Sequence, residues 1–267
     1  MNNRKAVILA RGLGSRMRQQ ADVELSSTQA AAADQGVKAM ISVGRPFLDH
    51  VISALADAGF VEICLVIGPE HHLIRDYYES VDKQRVTISY AIQAEPLGTA
   101  NALLAAEEFA GTDRVAVINS DNYYPAEALL LLAGSASSAL IGFDPAAMIT
   151  QSNIPAERIK AFALATSDTD GNLAGLVEKP DQATLDTLRE PLVSMNCWLC
   201  SPAIFPAARA IGPSARGEYE ITDAVRAAID AGDTYRVLRA AVGVLDMSNR
   251  LDISGVAEAL ASREVRL

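Results

Sequence analysis

The sequence predicts an α/β fold, with a mostly parallel central sheet and helices on both faces, in a single domain. Three observations predict it. Short apolar runs alternate with segments of helical periodicity, as strand–helix–strand units require. Several of the runs are apolar throughout, the pattern of strands covered on both faces. Half of the 267 residues are apolar, enough for one sizeable core, and no repeat or Pro/Gly/Ser-rich linker divides the chain.

The elements follow in order. Residues 6–10 form a first strand that stops at a glycine loop. Residues 19–36 are polar and Ala/Gln-rich, an insertion or lid within an otherwise compact strand–loop–helix unit. Leu48, Val51, Ile52 and Leu55 are spaced for a helix over 47–58. A strand over 62–67 is closed by Gly68-Pro69 and followed by a helix over about 70–81. Residues 86–90 alternate as a strand, 99–109 form an Ala/Leu/Glu helix with Thr99 as its cap, and 114–119 are a further buried strand. In the second half, strand-like runs occupy 139–143, 159–165, 173–177, 193–199 and 235–245, with helices at 202–210, 219–231 and 253–262. Ligands of such sheets bind beyond the carboxyl ends of the strands. Chemistry is therefore expected in the loops after residues 10, 67, 92 and 119.

Composition excludes several classes. Lys+Arg 23 against Asp+Glu 33 gives a net charge of −10, unsuited to a nucleic-acid backbone. A small polyanion would need a local cluster of cations and a divalent metal ion. No apolar run reaches the ~18 residues that span a bilayer, and the apolar stretch near the start is too short for a signal peptide. Cys64, Cys197 and Cys200 cannot build a disulfide framework. The protein is read as soluble and cytoplasmic, with no nucleic-acid or membrane partner. A strand puts Cys197 and Cys200 on opposite faces, which argues against zinc or redox use. His50 is expected to be a satisfied core histidine, His71 and His72 to be solvated, and Tyr123 and Tyr124 to pack.

The first loop reads Arg11-Gly12-Leu13-Gly14-Ser15-Arg16-Met17-Arg18. Two glycines allow a tight turn that brings backbone N–H groups to an anion. Three arginines in eight residues add forked donors suited to phosphate oxygens. The loop is neither a Walker loop nor a GxGxxG turn.

Residues 7–17, VILARGLGSRM, resemble the signature of sugar-1-phosphate nucleotidylyltransferases, an apolar strand followed by A-G-G-x-G-T/S-R-M/L. Five further pieces follow in family order. VKAMISVGRPFL (37–48) resembles P-K-x-L-x-P-V-x-x-K-P-L-L, and QAEPLGTA (93–100) the base-recognition loop. NSDN (119–122) resembles the metal-binding G-D-x/S-D-N turn, and VEKP (177–180) matches V-E-K-P. SARGEYEITD (214–223) is similar to the S-A-R-G-E-x-E-I-T-D run of the thymidylyltransferases. Together they cover residues 5 to about 255.

The resemblance implies a Rossmann-like nucleotidyltransferase domain over 1–267. It implies attack by a sugar-1-phosphate oxygen on the α-phosphorus of an NTP, with Mg²⁺ and release of pyrophosphate. Arg16, Lys38 and Asp121 would be catalytic. Ala10, Arg11, Gly12 and Gly14 would hold the triphosphate, with Gln93 and Gly98 at a base that leans to dTTP or UTP. Lys179 would fix the sugar phosphate, and Glu178, Asn196 and Glu218 the sugar. Glu220 and Asp223 would support that loop. Asp121 and Asp246 would be metal ligands, with Asn249 of the N-N-R-L-like run as the alternate to Asp246. Homo-oligomerisation is left open. The length leaves no room for a further β-helix domain, so a bifunctional enzyme is not expected.

Three departures stand out: Arg11 replaces a glycine, Val37 replaces a proline, and the stretch from Arg18 to Lys38 is long. Two other readings compete: transfer to a non-sugar phosphate or phosphonate, and a catalytically inactive nucleotide-binding regulator. A regulator has no need of a second metal ligand.

Overall fold

A computed structural model describes residues 3–159, 162–178 and 180–267. Its strands are β1 (Lys5–Leu9), β2 (Glu62–Ile67), β3 (Thr87–Ile92), β4 (Val115–Asn119), β5 (Asn122–Tyr123), β6 (Ser138–Phe143), β7 (Ala163–Ser167), β8 (Leu173–Val177), β9 (Leu192–Cys200), β10 (Tyr235–Ala240) and β11 (Leu245–Asp246). The main sheet runs β10-β6-β9-β4-β1-β2-β3, and β7 joins β9 and carries β8. Pairing is parallel from β4 through β1 and β2 to β3, and again between β10 and β6. Strand β9 runs antiparallel to β4, β6 and β7, so the sheet is mixed.

Helices cover both faces, as the unbroken apolar strands require. Along β1, Ala6 and Ile8 join one buried cluster while Val7 joins the other. In the first half the helices are α1 (Ser15–Arg18), α2 (Ser27–Gln35), α3 (Phe47–Asp57), α4 (His72–Ser80), α5 (Thr99–Ala105), α6 (Glu107–Ala110) and α7 (Ala126–Ala133). In the second they are α8 (Pro145–Gln151), α9 (Ala156–Ile159), α10 (Gln182–Thr187), α11 (Ile204–Ala210), α12 (Ile221–Asp230) and α13 (Asp252–Leu260). Helices α3, α7 and α13 pack into the first cluster, and α5, α11 and α12 into the second. Trp198 of β9 is fully buried in the second cluster against Tyr235. Among the described residues no helix is long and apolar enough to cross a membrane.

Three elements differ from the sequence expectation. The run 235–245 breaks after Ala240. Its partner β6 stops at Phe143, because Asp144 caps α8 with its carboxylate and Pro145 opens that helix. The freed chain returns as β11 and pairs with β5, which sets Asp246 opposite Asn122. The run 159–165 is split: Ile159 closes α9, and the strand starts at Ala163, where pairing with β9 begins. The helix over 99–109 is interrupted at Ala106, whose N–H bonds back to Leu103.

The polar insertion holds α2. Ser26 and Gln29 form a reciprocal capping box, and Gly36 closes the helix in the left-handed conformation. The segment is tied down. Gln29 donates to the Ser42 carbonyl at 2.8 Å. Buried Arg250 donates to the Met17 carbonyl at 3.0 Å and pairs with Asp34.

Cys197 and Cys200 lie in opposite clusters, and burial pushes both thiols up. Tyr124 stacks on Phe143 and donates to the Met195 carbonyl. Two histidines depart from expectation. His50 is buried, yet neither ring nitrogen has a hydrogen-bond partner among the described residues. On α3, the neighbouring Asp49 takes the Tyr77 and Tyr78 hydroxyls, so the polar pairing forms around the carboxylate. His71 is half-buried rather than solvated, and its Nδ1 accepts the Gly68 N–H at 3.1 Å.

Candidate active site

Strands β1, β3 and β4 end on one side of the sheet, and a cleft of 440 Å³ opens beyond them. The glycine loop forms its floor. Ala10, Arg11, Gly12 and Arg16 line it, whereas Gly14 does not. Gly14 sits at φ +62° with its Cα against Gly36, where a Cβ would come within 2.2 Å of the Gly36 carbonyl. The second loop glycine thus serves close packing of the insertion on the loop. Arg18 turns away from the cleft and donates to the Gln35 carbonyl at 2.9 Å. Arg11 lies against the loop after β2: its Nε and Nη2 pair with Glu70, and its Nη1 is buried without a partner among the described residues.

Lys38 comes from the 3₁₀ turn that ends the insertion, and Asp121 from the turn after β4. They meet at 2.9 Å, with the lysine the more buried of the two. Val37, in place of a proline, forms no part of this contact, and the lysine reaches the cleft all the same.

Gln93 and Gly98 close another wall. The Gln93 amide nitrogen donates to the Gly98 carbonyl at 3.1 Å and to Asn101 at 2.9 Å. Because a carbonyl can only accept, this fixes the amide orientation and turns both N–H bonds inward. Gly98 has φ +112°, and a Cβ there would stand 2.6 Å from the Tyr219 carbonyl, so only glycine fits. Tyr219 in turn bonds Leu97 and Ala100 through its backbone. Thr99 does not cap its own helix; its hydroxyl accepts the Ile221 N–H at the start of α12. The 93–98 loop and the 214–223 run are thereby one unit.

A second cavity of 160 Å³ adjoins the cleft and shares Thr99, Asn196, Arg216 and Glu220 with it. Glu178 lines this cavity and accepts the Thr222 hydroxyl at 3.1 Å. Glu218 faces the larger cleft. Glu220 accepts Arg216 at 2.6 Å and Ser214 at 3.3 Å, holding the loop, while Asp223 pairs with Arg226 outside it. Lys179 lies outside the described residues. Arg216 was visible in the S-A-R-G-E run but carried no assigned role; the structure puts it on both cavities.

Asp246 is buried beside this cleft and does not line it. Its carboxylate accepts Asn122 at 3.0 Å and Ser248 at 2.7 Å, and pairs with Arg158. Burial pushes its pKa up, and the negative charge of Asp121 adds to the shift. Asp121 and Asp246 repel each other and are each countered by a protein cation; their oxygens are donors of the hard type that Mg²⁺ prefers. Asn249 is less suited, since its side-chain oxygen accepts the Leu251 N–H in the turn before α13. Among the described residues no group of three or more His, Cys, Asp or Glu side chains could hold a metal ion. Ligand phosphates and water would have to complete any shell.

The family model described as nucleotidyl transferase matches residues 5–243. The chain belongs to the nucleotidyl transferase family. A glucose-1-phosphate thymidylyltransferase of Streptomyces griseus is 31% identical over 236 residues, 87% of this chain and 59% of that protein. The UTP–glucose-1-phosphate uridylyltransferase AglF of Haloferax volcanii is 27% identical over 236 residues, 88% of this chain and 87% of that protein. A UDP-glucose pyrophosphorylase in complex with UDP-glucose superposes with a TM-score of 0.74 at 17% identity, over 98% of this chain and 100% of the other. The last shows a shared fold. The chain spans about three fifths of the length of the thymidylyltransferases it matches. The nucleotidyl transferase resemblance read from six motifs therefore holds, and Asp246 lies just past the matched segment.

Proposed function

We propose that the protein transfers a nucleotidyl group from an NTP, dTTP or UTP by preference, to a sugar-1-phosphate, with Mg²⁺ and release of pyrophosphate. The observation that carries this reading is the pair of joined cavities. One gathers the glycine loop, Arg16, Lys38, Asp121 and Gln93; the other holds Glu178, and Asn196 and Arg216 belong to both. Two anionic reactants need opposite pockets that meet at a cationic seam.

Catalysis here is positioning and charge neutralisation, without a covalent intermediate. Glycine-loop amides and Arg16 hold the triphosphate. Lys38, released from Asp121 as phosphate arrives, turns to the α-phosphate or the leaving group. Asp121 and Asp246 would hold Mg²⁺, which when bound offsets phosphate charge. Arg216, on both cavities, faces the sugar phosphate, a role that the resemblance also implies for Lys179. Proton abstraction is unnecessary, since the attacking phosphate oxygen is already ionised.

Gln93 supports the base preference. With both amide hydrogens engaged, it offers a base only its Oε1 acceptor. Uracil, thymine and guanine present a ring N–H to such an acceptor, whereas cytosine and adenine present a ring lone pair and could meet it only through their exocyclic amino groups. The names of the relatives, thymidylyl- and uridylyltransferases, favour a pyrimidine. Pyrophosphate release from a matrix of NTPs and sugar-1-phosphates tests the reading. Turnover is expected with dTTP or UTP and a hexose-1-phosphate; no turnover with any pair refutes it.

A further inference from the structure

Strand β9 carries an anomaly. Val193, Met195, Cys197 and Leu199 point into one core cluster, while Trp198 and Cys200 point into the other. Ser194 shares the Trp198 face, where apolar residues would be ordinary. It is 5% exposed, and its hydroxyl has no hydrogen-bond partner among the described residues. A buried hydroxyl without a partner is unfavourable, and natural interiors rarely leave one.

The strand geometry shows what surrounds this residue. Pairing with β6 jumps from Leu140↔Trp198 to Gly142↔Ser194, so two extra residues of β9 bulge out. Asn196 sits in that bulge at φ +55°. Bulges re-aim side chains, commonly beside sites. On the other edge Ala163 pairs with Ser194 and is too small to cover it. Ser194 and Ala163 both line the 160 Å³ cavity with Glu178 and Asn196. Within that cavity Glu178 is engaged by Thr222, and Glu220 by Arg216. The Asn196 side-chain oxygen accepts the Trp198 ring N–H. Among the polar side chains that line this cavity, Ser194 is the buried one whose hydroxyl has no partner among the described residues.

We infer that the Ser194 hydroxyl reads a ring hydroxyl of the acceptor sugar and so sets which sugar-1-phosphate is used. The inference rests on the sugar-transfer reading above. A serine hydroxyl gives one donor and two acceptor sites, complementary to a pyranose hydroxyl. A site built to bond a substrate hydroxyl rejects the analogue that lacks it, by up to about 10⁴-fold in kcat/KM.

The test compares wild-type protein, S194A and S194G on one hexose-1-phosphate and its monodeoxy analogues at saturating NTP. Wild type is expected to lose at least about 100-fold in kcat/KM with one of the deoxy sugars. In S194A the parent sugar and that analogue should come within about threefold of each other, with the KM for NTP unchanged. S194G and direct binding of the analogues to wild type guard against a folding defect in S194A. Wild type that takes all deoxy analogues equally, or an S194A profile identical to wild type, overturns the inference and leaves sugar transfer intact. Transfer to no sugar-1-phosphate overturns both.

Discussion

Lys38 Nζ stands 2.9 Å from the Asp121 carboxylate, joining the end of the polar insertion to the turn after β4. The pair neutralises a carboxylate that lines the cleft and holds a cation there, beside the phosphates of the proposed function. In the proposed function both members are wanted elsewhere once ligand binds, so the contact would be one to break. Asp121→Asn should retain the fold and lower nucleotidyl transfer by about 10²- to 10³-fold, the scale of removing one preorganised charged group. Lys38→Met should cost a similar factor. Pyrophosphate release together with circular dichroism checks both; wild-type rates in Asp121→Asn would falsify the metal role.

Gln93 is locked by the Gly98 carbonyl and Asn101, so its oxygen is the atom left to read a base in the proposed function. Gln93→Leu should lower kcat/KM for dTTP or UTP by about 10- to 100-fold, as loss of one hydrogen bond in a dry site implies. The KM for the sugar-1-phosphate should hold. Steady-state kinetics over four NTPs would register a smaller penalty for a base that Gln93 does not bond.

Arg250 ties α1 and α2 together from the far end of the chain, through Met17 and Asp34. Truncating a buried arginine leaves its acceptors bare. Arg250→Met should therefore destabilise the protein by about 2 kcal/mol. NTP affinity should fall more than affinity for the sugar-1-phosphate, because the glycine loop loses its brace. Urea unfolding and NTP thermal shifts measure the two effects, and equal loss for both substrates would count against a bracing role.

Acid should weaken the fold through histidine. Burial, the largest cause in each case, holds His50 and His71 below the ordinary imidazole value. The unfolded chain takes up protons near pH 6.5, where the folded form still resists them. Stability is therefore fully present above about pH 6.5 and is lost as pH falls through the lowered folded values. His50→Leu removes two orphan ring nitrogens. It should raise the Tm at pH 7 and shrink the loss between pH 7 and pH 5, as read by differential scanning calorimetry.

Much of the fold was legible along the chain, for a physical reason. Continuous apolar runs such as 62–67 and 115–119 can be buried only as central strands, and Gly/Pro punctuation marks their ends. Where the pattern misled, the cause was a partner far away. The run 235–245 is apolar enough to continue, but β6 ends at the Asp144-Pro145 cap and leaves it nothing to pair with. Thr99 looks like a cap for the helix it opens, yet it caps α12, more than a hundred residues on.

The α/β architecture, the order of the six motifs and the kinds of side chain at the cleft can all be read along the chain. Those follow from local spacing and from chemistry that needs cations, carboxylates and glycines at strand ends. Tertiary structure alone decided which atoms are available. It turned the Gln93 donors inward, sent Arg18 away from the cleft, paired Arg11 with Glu70 and Asp246 with Arg158, and left the Ser194 hydroxyl without a partner among the described residues. Residue type fixes what a group can do, but hydrogen-bond partners fix what it has left to offer, and those partners come from other elements of the fold.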